Sequence, residues 1–397
     1  MKYICLTITI LLIFPVLTNS EDKIADIINA IDENSLYQYV KAIQDFGEHV
    51  TGSEKCNEVA EFIYNKFKEA GLEVNYHEWS SEGYKGKNVI ATLPGKTNSS
   101  IILSAHYDSY PTSPGADDDG SGIACLLMAS QIFSKYDFLH TIKLIAFSGE
   151  EQGMLGSKEY AKEAYRNGED IIADINVDTV GHAVSKDGGS KLRVLTDEAS
   201  IWITDIAEEV SEKYNLGISL FRHGNFPAGD HQSFLDYGYE AVFFVEYEFN
   251  SNMHTPNDTI EHVNISYLTK ACKLVLATTA RIADKSFSIR IKFDEPKIGN
   301  IYINDRKIIQ IEEPYTIVIG RIHTSVKLMG NEEVKRVEFY FDGKLIGFSD
   351  ASPYEYVYNN IAFFKHSIKA VAVANNSDIC KMDVIVFNFL PPGPPHG

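Results

Sequence analysis

The sequence predicts an α/β protein with a mostly parallel sheet sandwiched by helices, followed by an all-β sandwich. Three observations predict it. Between Asn88 and Ile282, apolar runs of strand length alternate with runs of helical periodicity, as expected of a parallel sheet covered on both faces. Beyond about Ile282 the helical periodicity stops, and short alternating runs take over, separated by turn residues such as Phe341-Asp342-Gly343. That pattern reads as a β-sandwich. Carboxylate-rich polar loops follow the predicted strands of the first part, at the sheet edge where such folds place their chemistry.

The elements follow in order. Ile24, Ile27, Ile28 and Ile31, then Leu36, Tyr39, Val40 and Ile43, recur at helical spacing, and Ser35 is a candidate cap for the second of these helices. Asn57 to Ala70 is amphipathic, and Gly71 ends it. Glu73–Trp79 reads as an edge strand, and Asn88–Leu93 and Ile101–Ala105 as strands joined by the turn Pro94-Gly95. Helix Gly122–Tyr136, strand Thr141–Phe147, helix Ser157–Tyr165 and strand Ile171–Val177 follow. Helices Ile201–Tyr214 and Asp230–Tyr237, strand Ala241–Val245 and the long helix Ile265–Ile282 complete the first unit.

Lys2, an apolar run to Leu17 and the small polar residues Thr18-Asn19-Ser20 make a secretory signal peptide, with an uncleaved anchor as the alternative. The run is shorter than the ~20 residues of a membrane span. The expected organisation is therefore a signal peptide at 1–20, a catalytic unit at 21–284, a β-sandwich at 285–390 and a disordered tail at 391–397, in a secreted or envelope-exterior protein. The formal net charge of −19 argues against nucleic acid or an anionic membrane as partner. Of the five cysteines, Cys5 lies in the signal; Cys56, Cys125, Cys272 and Cys380 show no zinc-binding spacing. Export permits a disulfide among them, and buried free thiols are the equal alternative.

His106 and Asp108 follow one predicted strand, Glu150 and Glu151 a second, Asp178 a third and His254 a fourth; Asp118 precedes a helix. Alone, His-x-Asp is usually a surface pair, Asp117-Asp118-Asp119 a solvated loop and Glu-Glu a helix surface. Together they fall on one rim of a parallel sheet. Two histidines with three or four carboxylates form a donor set suited to zinc. Five ligands exceed one tetrahedral ion and suit two ions bridged by a carboxylate.

These residues carry a resemblance. His106-Tyr107-Asp108-Ser109, Gly115 to Gly122, Ser148-Gly149-Glu150-Glu151-Gln152-Gly153, Asn176-Val177-Asp178, Asp230-His231-Gln232-Ser233-Phe234 and His254-Thr255-Pro256-Asn257-Asp258-Thr259 stand in the order of the co-catalytic di-zinc aminopeptidases. The chain resembles that family, which includes bacterial leucyl aminopeptidases, aminopeptidase Y and glutamate carboxypeptidase II, over about residues 35–284. The resemblance implies two Zn²⁺ per chain, with Asp118 bridging them, His106 and Asp178 completing one site, and Glu151 and His254 the other. Glu150 would be the general base for the attacking water, and Asp108 would orient His106 through its far ring nitrogen. Tyr247 is the candidate oxyanion donor, with a packed aromatic as the alternative, because Phe226 occupies another place where relatives carry tyrosine. His231 and Asp230 would support the site.

The implied function is a secreted zinc aminopeptidase acting on peptides with a free N-terminus. The alternatives are a carboxypeptidase or dipeptidase of the same fold, or an inactive binding module. No arginine cluster for a substrate carboxylate is identifiable, since Arg222 stands nearly alone, and no HExxH motif is present. Phe226, Phe249 and Met253 are candidates for the specificity pocket. The tail resembles bacterial and archaeal immunoglobulin-like modules through Val337 to Gly347, Ser352-Pro353-Tyr354 and His366 to Ala372, which implies surface attachment or spacing.

Overall fold

The computed structural model describes residues 20–222 and 228–388. Residues 1–19 of the expected signal peptide, Cys5, Phe226 and the expected tail lie outside the described residues. Three helices open the chain: α1 (Ser20–Asn29), α2 (Glu33–Gln44) and α3 (Glu54–Glu69). Asp32, not Ser35, caps α2. Its carboxylate accepts both the Ser35 amide (2.8 Å) and the Ser35 hydroxyl (2.7 Å), so Ser35 lies inside the first turn.

A sheet of eight strands follows, interleaved with helices: β1 (Glu73–Ser81), β2 (Tyr84–Leu93), β3 (Thr97–His106), α4 (Gly120–Phe133), β4 (His140–Phe147), α5 (Leu155–Asn167) and β5 (Ile171–Val177). It continues with β6 (Lys191–Thr196), α6 (Ile201–Lys213), β7 (Ser219–Arg222), α7 (His231–Asp236), β8 (Ala241–Glu246) and α8 (Ile265–Ala283). The strand order is β1-β2-β4-β3-β5-β8-β6-β7. The central neighbours β4-β3-β5-β8 are parallel, so their carboxyl ends share one rim. Strands β6 and β7 escape the periodicity reading because both are short: Arg193 interrupts the apolar residues of β6, and β7 has only Leu220 and Phe221 between Ser219 and Arg222.

Helix α4 carries the rim's central loop. All its residues but Gln131 are buried, which requires a helix apolar on every side. At Gly122 an added Cβ would stand 2.4 Å from the Val177 carbonyl oxygen, so only glycine lets α4 begin this close to β5. Cys125 on α4 and Cys272 on α8 are buried beside each other; the neighbouring Cys272 thiol and burial together push the Cys125 thiol well above its ordinary range.

The rest of the chain is β: β9 (Ile289–Glu295), β10 (Asn300–Ile303), β11 (Arg306–Gln310), β12 (Thr316–Ile319), β13 (Ile322–Gly330), β14 (Arg336–Phe341), β15 (Lys344–Ser349), β16 (Glu355–Tyr358), β17 (Ala362–Val373) and β18 (Asp378–Asn388). Seven of them form one sheet and β16-β13-β9 a second. Between them Ile289, Ile291 and Val326 meet Val337, Phe339, Ala370 and Ala372. This region is docked, not tethered. Ile298, Tyr302, Val318 and Phe341 share one core with Tyr160, Phe234, Tyr237 and Tyr239 of the first unit. Arg290 and Lys292 also pair with Asp170 across the seam at 3.0 and 2.8 Å. No helix among the described residues is long and apolar enough to cross a membrane.

Candidate metal centre

The rim brings the sequence-predicted residues together. His106 ends β3, Asp178 follows β5, Glu150 and Glu151 lie just beyond β4, and His254 lies in the loop after β8. Asp118 reaches the centre from the loop before α4. Its Oδ1 is 3.1 Å from His106 Nε2 and its Oδ2 is 3.0 Å from His254 Nε2. Asp178 Oδ1 stands 3.7 Å from His106 Nε2, and Glu151 Oε2 stands 3.4 Å from His254 Nε2. Each histidine therefore faces one oxygen of Asp118 and one further carboxylate. The Asp118–Asp119 peptide bond is cis.

The flanking aspartates are occupied by the backbone. Asp119 accepts the amides of His106 (3.2 Å), Gly122 (2.8 Å) and Thr179 (3.1 Å), which makes it the cap of α4 and a tie between β3 and β5. It also lies within metal-binding reach of His106 and Asp178, but its lone pairs already serve three amides, whereas the two oxygens of Asp118 each face a histidine. Asp117 accepts the Gly181 amide (2.8 Å) and the Asn250 side chain (2.7 Å). Asp258 binds the amides of Asp117 (2.9 Å) and Asp118 (3.2 Å) and the Ser113 hydroxyl (3.2 Å), clamping the Asp118 loop to the His254 loop. Sequence reading passed over Asp258 and Asn250, although Asp258 stands within the motif that flags His254.

Asp108 meets the far ring nitrogen of His106 with its main chain, not its side chain. His106 Nδ1 meets the backbone carbonyl of Asp108 at 3.0 Å, while the carboxylate is 3.7 Å away. The carboxylate accepts the amides of Glu150 (3.2 Å) and Glu151 (3.3 Å) instead. One residue thereby orients the histidine with its main chain and the two glutamates with its side chain.

The electrostatics test whether cations fit here. Burial, together with the charges of Asp178, Asp230 and Asp108, pushes Glu150 well above the usual carboxylate range. Burial and Asp118 push Glu151 up to about 8. Burial raises Asp178 and Asp119 as well. Burial opposes protonation of His106, yet Asp178, Asp108 and Asp118 hold it well above the ordinary imidazole range. Asp118 lies below the carboxylate range; burial works against this, and His106 and His254 outweigh it. Glu151 Oε1 is buried with no hydrogen-bond partner. So many carboxylates crowd together that they hold protons unless cations sit among them. Divalent ions between these oxygen and imidazole donors would relieve the crowding, and the donor set fits zinc.

A cavity of about 300 Å³ opens beside the centre, lined by Asp118, Glu150, Glu151, Asp178 and His254 and by Phe243, Val245, Phe249 and Met253. Phe249 and Met253, the candidates for the specificity pocket, are both among the lining residues. Tyr247 lines it too, with its ring packed against Phe221 (5.2 Å between centroids) and beside Lys191 and Arg193. Arg193, which the sequence reading did not single out because β6 was not read as a strand, also faces the cavity, and its guanidinium donates to the Tyr247 carbonyl (3.0 Å). Asp230 accepts the Ser157 hydroxyl (2.5 Å), and burial raises it to about 7. His231 stacks on Phe243 (5.1 Å), and burial pushes it down to about 4.

Comparison with known proteins meets this geometry. The sequence profile of peptidase family M28 matches residues 88–279, a span that contains all five candidate ligands and Glu150. Residues 88–279 are an M28 peptidase domain. The chain is a metallopeptidase. Among curated relatives, Leucine aminopeptidase 1 of Coccidioides posadasii is 25% identical, over 68% of this chain and 76% of its own. Leucine aminopeptidase 1 of Phaeosphaeria nodorum is 29% identical, over 53% and 58%. Among solved structures, the LapA aminopeptidase of Legionella pneumophila aligns with a TM-score of 0.62 at 20% identity, over 71% of this chain and 81% of its own. A glutaminyl cyclase of Bacteroides thetaiotaomicron aligns at 0.56 with 20% identity, over 63% and 98%. The M28 metallopeptidase thus shares its fold with proteins of more than one activity, and the choice among activities rests on the site.

Proposed function

We propose that this M28 metallopeptidase is a secreted zinc aminopeptidase that removes N-terminal residues from peptides. The observation that carries the reading is the Asp118 carboxylate, set between two histidines with Glu150 beside it at the mouth of an apolar cavity. In this reading His106, Asp118, Glu151, Asp178 and His254 would hold two Zn²⁺, with Asp118 common to the His106–Asp178 pair and the Glu151–His254 pair. Zinc held by these residues would supply Lewis acidity and make water a stronger acid at neutral pH. The Glu150 carboxylate takes a proton from the attacking water and gives it to the leaving amine. Asp108 keeps the backbone of Glu150 and Glu151 in place through their amides. The carboxylate rim attracts the substrate's ammonium group. Phe243, Val245, Phe249 and Met253 favour an apolar first residue, since desolvating an apolar side chain stabilises the complex and desolvating a charged one does not. Tyr247 remains the candidate oxyanion donor.

Replacing Glu150 with Gln tests the base. Turnover should be lost while two zinc ions per chain remain bound; normal turnover sinks the assignment. Peptides with free and blocked amines should differ sharply in rate. Arg193 favours one second reading, a carboxypeptidase whose cavity cation pairs with a substrate carboxylate; equal cleavage of N-blocked peptides would select it. The presence of all five donors with Glu150 beside them speaks against an inactive binding module, and zinc content below about two per chain would revive it. The signal-peptide pattern supports export. The two facing sheets of residues 289–388 support an immunoglobulin-like module, and through it surface attachment.

A further inference from the structure

The two histidines are fixed by different means. His106 is buried, and its Nδ1 is bonded to the Asp108 carbonyl. His254 has a side chain 43% exposed and sits in the left-handed region at φ 62°, which non-glycine residues adopt only when their surroundings impose it. No hydrogen bond to its Nδ1 exists among the described residues. A metal-binding histidine ordinarily has its other nitrogen bonded, which fixes the ring's orientation. Here the ring lies flat on Tyr110, with centroids 4.4 Å apart and planes 11° apart. From the same loop the Thr112 hydroxyl donates to the His254 carbonyl at 2.9 Å.

We propose that Tyr110 is the positioning residue of the His254 site, its ring face doing for this imidazole what the Asp108 carbonyl does for His106. A flat stack blocks rotation of the imidazole about its Cβ–Cγ bond and holds Nε2 toward Asp118 and Glu151, with no demand on the ring's protonation. The loop that contains Asp118 thus also orients the histidine opposite it, so the bridging carboxylate and its second histidine are set by one segment. The proposal rests on the two-zinc reading of the site.

Stepwise competition of the zinc-loaded enzyme with a chelator tests it. Wild type should release two ions. Tyr110→Ala should weaken one of the two sites roughly tenfold, the scale at which supporting contacts act on metal affinity, and leave the other unchanged. Tyr110→Phe keeps the ring and should behave as wild type. In a His254→Ala background, Tyr110→Ala should add nothing. Wild-type zinc affinity in Tyr110→Ala overturns the proposal, as does an equal loss in Tyr110→Phe, an equal loss at both sites, or a full further loss in the His254→Ala background. Wild type that never holds two ions overturns the two-zinc reading instead.

Discussion

His106 and His254 approach the same carboxylate, at 3.1 and 3.0 Å from opposite oxygens of Asp118, and each faces one further carboxylate, yet they differ in burial and in what holds the ring. The His106 half is built from strand ends: β3 supplies the histidine, β5 leads into Asp178, and Asp119 ties the two strands together through backbone amides. The His254 half is built from loops, half open to solvent, and held by a stack, one hydroxyl and the Asp258 clamp. The comparison teaches that the sheet provides a fixed half of the centre and the loops an adjustable one, at the side where the cavity opens.

The largest difference should appear in stability without metal. Replacing His106 with Ala strands the buried charge of Asp118, and should cost about 3–5 kcal/mol. Replacing the half-exposed His254 should cost no more than about 1 kcal/mol. Urea unfolding of the chelated variants measures both, and equal losses would dissolve the distinction. Next in size is Asp258→Ala, which leaves two amides without an acceptor and should cost about 1–3 kcal/mol. Because Asp258 joins the halves, zinc release from both sites should quicken.

A pH series sharpens the contrast in the metal-free protein. Burial and Asp118 raise Glu151 to about 8 in the folded chain, from an ordinary 4.5. Between those values the native state holds a proton that the unfolded chain has released. The contribution is fully present below about pH 4.5 and is lost as pH rises toward 8. The melting temperature of the chelated protein should therefore fall across that window and that of the zinc-loaded protein should not. The smallest effect is expected of Thr112→Val, which removes one hydroxyl bond to the His254 carbonyl, worth about 1 kcal/mol. It should show as a modestly faster release of one zinc, with unfolding little changed.

Much of this was legible in the residues. Apolar runs between Asn88 and Ile282 placed β2 to β5, β8 and the long helices, because strand and helix periods are local properties of the chain. Strands β6 and β7, and β11 further on, were not legible. Each is short and mixes charge with apolar residues, and each becomes a strand by pairing with a neighbour. Arg193 was missed for the same reason: its place at the cavity depends on β6 joining β8. Asp108 was legible as a neighbour of His106, but which of its groups meets the ring depends on the path of the loop, which turns the carboxylate toward the Glu150 and Glu151 amides.

The sequence by itself determined the fold class, the donor types and the loops that carry them, because those follow from periodicity and side-chain chemistry. Only the tertiary structure decided how these pieces share work. Asp118 stands out from Asp117 and Asp119 because backbone amides occupy its neighbours. His254 rests on Tyr110, 144 residues away in the chain. The β region is fused to the catalytic unit by a common core. Each of these depends on contacts between residues distant in sequence, and no local pattern encodes them.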